Sequence, residues 1–202
     1  MKILFIHGLA SSGAFKTSVS LQRIFSPCEV IAPDVPIAPD EASSLLNGIC
    51  KTENPDLIVG LSMGGFWAQK LRGYRKVLIN PDFHISRLMR TMTGTVEYLS
   101  PRKNGDRDFL ITPEICDGYE ALEEVQFDGI SDEEVGLTCG MFATEDDVVN
   151  CREEFEKHYP SRSLRYPGKH LPTHPELQKY LPKAVNNFVM DNNNFVLCIN
   201  IQ

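Results

Sequence analysis

The fold predicted by this sequence is a three-layer α/β/α sandwich on a mostly parallel sheet of about six strands, with a short helical cap inserted over about 82–134. Three observations lead there. Apolar runs of strand length alternate with helix-period stretches from the first residues onward. One of those runs, Leu-Ile-Val-Gly-Leu over 57–61, passes straight into G-x-S-x-G with Ser62 at its centre. The alternation then stops after Asn80-Pro81 and resumes at Val135.

Taken in order, residues 2–7 form a short apolar strand that ends at Gly8. Residues 14–25 read as a helix with Phe15, Val19, Leu21 and Ile24 toward one side, and 28–35 as a second strand closed by Pro33 and Pro36. Asp40 is expected to cap the next helix, where Ala42, Leu45, Leu46, Ile49 and Cys50 recur at i, i+3, i+4, i+7 and i+8. A third strand over 56–61, a third helix over 63–72 and a fourth strand over 76–80 follow. Such alternation implies right-handed crossovers and a sheet covered on both faces. From 82 to 134 the residues are mixed and show no strand period. About fifty residues make a poor independent core, so the stretch reads as an insertion within one domain spanning 1–202. Beyond it come a strand over 135–142, a helix over 150–159, a strand over 163–166 and a helix over 175–190, then a turn-like and apolar tail with no firm placement.

Composition narrows the class. At 42% hydrophobic and 23% charged residues, the chain is an ordinary globular protein. A formal charge of −7 with no basic face argues against general nucleic-acid binding. No run is long enough to span a membrane, and Lys2-Ile3-Leu4-Phe5-Ile6 is too short for an export signal, so a cytoplasmic protein is expected. Cys28, Cys50, Cys116, Cys139, Cys151 and Cys198 are scattered without a C-x-x-C pair and read as reduced thiols.

The G-x-S-x-G turn is where the chemistry is read. A strand bending sharply into a helix pushes a serine hydroxyl beyond the sheet edge, with the helix N-terminus and the Met63 N–H where an oxyanion would form. A serine hydroxyl is a weak nucleophile until a base takes its proton. On a sheet of this topology an acid and then a histidine are looked for after a serine in such an elbow. Asp146, in Thr144-Glu145-Asp146-Asp147-Val148-Val149 after a strand, is the chosen acid, with Glu145 and Asp147 as neighbours that could exchange with it. His170, after the last strand and Gly168, is favoured as base over His174, which precedes Pro175 and suits a helix start. Pro172 separates these two histidines and no third ligand is near, so no metal is expected. Leu9 follows the first strand, and its N–H is the second candidate oxyanion donor. His7, Gly8 and His84 are candidate substrate-binding residues, His158 reads as a surface residue on a helix, and Ser11 and Ser12 have nothing directing them toward a base.

His-Gly after strand one, G-L-S-M-G-G after strand three, D-D-V-V and G-K-H together resemble the α/β-hydrolase superfamily over residues 2–190. The H-G-L-A-S-S start, Asn80-Pro81 and the short length are similar to the small bacterial YqiA-like esterases, although Lys169 stands where G-G-H or G-S-H is more usual. The resemblance implies a minimal hydrolase without the first two antiparallel strands of larger relatives. It also implies a Ser62–His170–Asp146 triad with Leu9 and Met63 as oxyanion donors, acting on short-chain acyl and aryl esters. The expected activity is therefore hydrolysis of small-molecule esters or thioesters of small to medium acyl groups through an acyl-enzyme, with no cofactor. Acyltransferase and thioesterase activities would use the same machinery. A non-catalytic binding or scaffold protein on this fold is the alternative from another class. Arg87, Arg90, Arg102, Lys103 and Arg107 in the insertion raise a weaker one, a site for an anionic substrate tail.

Overall fold

The computed structural model describes residues 1–187. Six strands, β1 (Lys2–Ile6), β2 (Glu29–Ile31), β3 (Leu57–Leu61), β4 (Lys76–Ile79), β7 (Thr138–Ala143) and β8 (Ser163–Tyr166), form one sheet in the order β2-β1-β3-β4-β7-β8. Every neighbouring pair in it is parallel. The order reverses at β1, so the crevice between the carboxyl ends of β1 and β3 is the place where this topology leaves room for a ligand.

The central strands β1, β3, β4 and β7 are buried on both faces, which is why they read as unbroken apolar runs rather than alternating ones. Period two still sorts the side chains. Ile3, Phe5, Leu57, Val59, Val77 and Ile79 pack with Leu21, Leu177 and Leu181, from helices α1 (Lys16–Ile24) and α8 (His174–Asn186). Leu4, Ile6, Ile58 and Leu78 face the other way, onto Leu46 of α2 (Pro39–Glu53), Phe66 and Trp67 of α3 (Met63–Lys70) and Phe155 of α7 (Arg152–His158). Through Gln69, every α3 residue is buried, because the insertion covers the side of this helix that the sheet does not. Trp67 sits edge-on to Phe66 at 5.3 Å and to Tyr119 of α5 (Pro113–Glu124) at 5.7 Å, so one aromatic cluster joins helix and insertion.

The insertion contains α4 (Ile85–Arg90), α5 and α6 (Asp132–Gly136), and also a feature the sequence reading missed. Strands β5 (Gly94–Glu97) and β6 (Asp108–Ile111) pair antiparallel as a hairpin, with Glu97 opposite Asp108. Its strands are four residues long, too short for a period-two signal to accumulate, yet Phe109 and Ile111 are buried while Leu110 is exposed. At the far end of the insertion, buried Glu134 pairs with buried Lys76 and accepts from the Gly73 N–H, closing the segment back onto β4.

Boundaries differ elsewhere. The second strand covers only Glu29–Ile31, because Pro33 and Pro36 take the chain out of the ladder. Ala38 rather than Asp40 occupies the N-cap of α2, with Pro39 at the first helical position. Helix α8 opens with Thr173 and Glu176 in a reciprocal capping box. The last residues of the helix expected over 175–190, the tail and Cys198 lie outside the described residues; Cys50, Cys116, Cys139 and Cys151 are free thiols. Among the described residues no helix is long and apolar enough to cross a membrane.

Candidate active site

Between β3 and α3, Ser62 alone turns the chain, at φ 57° and ψ −121°. A residue with a Cβ adopts that conformation only when its surroundings impose it. They do so here by close approach. A Cβ on Gly60 would lie 2.2 Å from the Gly64 carbonyl oxygen, and one on Gly64 would lie 2.0 Å from that of Ile6. The Ser62 N–H donates to the Ile79 carbonyl at 3.0 Å, and its own carbonyl accepts from Gly65 at 2.7 Å and Asp82 at 3.2 Å. The hydroxyl takes no part in capping α3 and is left for the cavity.

The Ser62 Oγ lies 3.0 Å from His170 Nε2, and His170 Nδ1 lies 2.8 Å from Asp146 Oδ2. A carboxylate only accepts, so Nδ1 carries the proton and Nε2 is the acceptor for the serine O–H. The other Asp146 oxygen, Oδ1, accepts from the N–H groups of Val148 at 2.9 Å and Val149 at 3.0 Å. Burial pushes the Asp146 carboxyl up, but the His170 hydrogen bond and the Val149 and Val148 N–H groups outweigh it and hold the acid below its ordinary value. Glu145 and Asp147 are exposed and bond to neither histidine. His174 begins α8, with its Nδ1 buried, unpartnered and away from Ser62.

Met63 is the first residue of α3, so its N–H has no carbonyl one turn earlier to meet. The Leu9 N–H donates to no acceptor among the described residues, and Gly8 and Leu9 both line the cavity over Ser62. That cavity holds about 500 Å³. Its walls are mostly apolar, with Leu88, Met92, Val96 and Leu99 from the insertion facing Phe15 and Leu9.

Two predicted substrate contacts lie elsewhere. His7 is buried and does not line the cavity: its Nδ1–H donates to the Gly8 carbonyl at 2.8 Å, and its Nε2 accepts from the Val35 N–H at 2.9 Å. His84 is the N-cap of α4 and turns its Nε2 to Glu154, 2.7 Å away. His158 ends α7 and stacks on Phe127 at 3.9 Å. The cations of the insertion do not line the cavity either. Arg102 is held on backbone carbonyls and Arg90 is paired with Asp117 and Glu120.

Burial pushes the His7 imidazole down to about 4, so it stays neutral in the folded chain. The unfolded chain takes up that proton first, so stability falls as pH drops from 6.5 toward 4, by roughly 3 kcal/mol for this group. The Tm gap between wild type and His7→Gln should therefore change across that interval in thermal melts. A constant gap would contradict this account.

Sequence reasoning gave Asn80 no role at the site. Its Oδ1 accepts from the Ala143 N–H at 2.8 Å, while Nδ2 donates to the Tyr166 hydroxyl at 2.9 Å and the His170 carbonyl at 2.8 Å. One amide thus ties together the ends of β4, β7 and β8 and fixes the two loops that carry the acid and the histidine. An asparagine directly after an apolar strand and before Pro81 was the available signal; it sits at φ 43°.

The fold is that of the α/β hydrolases, and solved structures similar to it agree. Est1E from Butyrivibrio proteoclasticus superposes with a TM-score of 0.63 at 13% identity, covering 94% of this chain and 87% of its own. A structure of the metagenome-derived lipolytic enzymes LipS and LipT gives 0.65 at 12%, covering 95% and 94%. The thioesterase domain from the curacin biosynthetic pathway gives 0.55 at 13%, covering 92% and 90%. No curated protein sequence matches the chain. Residues 2–186 match the uncharacterised protein family UPF0227, and the chain belongs to that family.

Proposed function

We propose that this protein is a serine hydrolase that cleaves esters or thioesters of small to medium, uncharged acyl groups through an acyl-enzyme. The observation that carries the reading is the continuous hydrogen-bonded line from Asp146 through His170 to Ser62, opening into an apolar cavity. As Ser62 Oγ attacks the substrate carbonyl, its proton moves to His170 Nε2. The imidazolium that results is stabilised by the Asp146 carboxylate. Negative charge then collects on the former carbonyl oxygen, next to the N–H groups of Leu9 and Met63. Such donors are worth about 3 kcal/mol each in the transition state. His170 returns the proton to the leaving group, and a water activated by the same nitrogen releases the acid.

The apolar walls favour an alkyl or aryl acyl group, and a cavity of about 500 Å³ accommodates one of modest length. Exposed Leu99, Val148 and Leu171 extend the apolar surface to the mouth. That the structural neighbours include an esterase, lipolytic enzymes and a thioesterase domain supports the same bond class. The test is a panel of p-nitrophenyl esters of increasing acyl length, with matching acyl thioesters, on the purified protein. Turnover should rise with acyl length, pass through a maximum and collapse for acyl groups bearing a carboxylate. Absence of turnover across both panels would overturn the proposal.

A further inference from the structure

The loop offering the Leu9 N–H is held from outside itself. Directly after Leu9, Ala10 sits at φ 56°, which is costly for a residue with a Cβ. Three consecutive residues of this loop are tied to the segment that links β5 and β6. The Ala10 carbonyl accepts from the Leu99 N–H at 2.7 Å. The Ser11 carbonyl accepts from Arg102 Nη1 at 3.3 Å, and the Ser12 hydroxyl meets that of Ser100 at 2.9 Å. Arg102 also donates through Nη1 and Nη2 to the Val35 carbonyl, at 3.2 Å each, with its guanidinium 4.5 Å from the centre of the Tyr98 ring. Val35 in turn donates its N–H to His7, the residue that leads into the loop.

We infer that Arg102 is a positioning residue for the oxyanion hole. Its planar fork draws the Ser11 and Val35 carbonyls onto one cation, which fixes the turn at Ala10 and thereby the direction of the Leu9 N–H. A lysine presents one nitrogen and does not bridge two carbonyls while also lying over a tyrosine ring. Arg102 does not line the cavity, so it acts on substrate only through the residues it holds. The hairpin is then part of the catalytic apparatus as well as a wall of the cavity. This inference rests on the acyl-enzyme reading above.

The test is steady-state kinetics of Arg102→Ala, Arg102→Lys and Ser100→Ala in the full chain, on the best uncharged aryl ester, with thermal melts alongside. Arg102→Ala should lower kcat by about 10²-fold, the effect of misdirecting one oxyanion donor, with KM within about threefold of wild type. Arg102→Lys should recover little of this, Ser100→Ala should lose less, and added methylguanidinium should raise the kcat of Arg102→Ala. If Arg102→Ala does not fold, Arg102→Lys and Ser100→Ala must still lower kcat selectively. An unchanged kcat in every folded variant overturns the inference, and so does a loss confined to KM. An inactive wild type would instead sink the proposed function, so the two failures are distinguishable.

Discussion

Ser62→Ala is expected to lower kcat/KM on the best aryl ester by about 10⁴-fold or more while leaving Tm within a few degrees. The two halves of this expectation have separate physical grounds. Chemistry collapses because no other hydroxyl can take over: Ser12 is spent on Ser100, and Ser11 is buried without a partner. Stability survives because the elbow is imposed by the close approach of Gly60 and Gly64 to neighbouring backbone, and none of that involves Oγ. Among the described residues the hydroxyl's one hydrogen-bond partner is His170, which a cavity water can satisfy in its absence. A fluorophosphonate probe gives an independent readout, labelling the wild type at residue 62 and the variant nowhere. A variant that keeps its rate, or wild-type label found on another residue, would exclude the acyl-enzyme.

The parts of this molecule that could be read from sequence are those encoded locally. Strands β1, β3, β4 and β7 are apolar because both faces are buried, and that burial makes them visible as uninterrupted runs. The Ser62 turn is visible because two glycines are sterically required within five residues. Asp146 and His170 could be chosen because each follows a strand in a fixed order, a constraint of topology rather than of spacing. What escaped is carried by contacts between distant segments. His7 looks like a cavity residue until Val35, from the loop after β2, is seen to occupy its second nitrogen. Asn80 and Arg102 act on carbonyls and N–H groups contributed by other elements, and nothing in their own neighbourhood announces those partners. The hairpin was nearer to legible than it seemed. Asn104-Gly105 lies between its strands with Gly105 at φ 84°, a turn signal that the surrounding charges obscured.

Asp146→Asn should cost about 10³- to 10⁴-fold in kcat with little change in KM, although it exchanges one oxygen for a nitrogen of the same size. The orientation of the new amide is dictated by the backbone. The Oδ1 position faces two N–H donors, from Val148 and Val149, so an oxygen must remain there. The NH₂ group is therefore forced toward His170 Nδ1, where the carboxylate oxygen accepted a proton at 2.8 Å. Two donors cannot share that contact, so the imidazole must place its proton on Nε2 and turn Nδ1 into the acceptor. A ring protonated at Nε2 has no lone pair for the Ser62 hydroxyl, and the nucleophile stays a neutral alcohol. The exposed neighbours Glu145 and Asp147 offer no rescue, since neither reaches the ring. Proton NMR separates this from a general loss of structure. The downfield Nδ1–H resonance of His170 should be present in wild type and missing from the variant, while the buried methyl resonances of the core keep their shifts. A variant with kcat within tenfold of wild type would mean that Asp146 does not set the tautomer of the base.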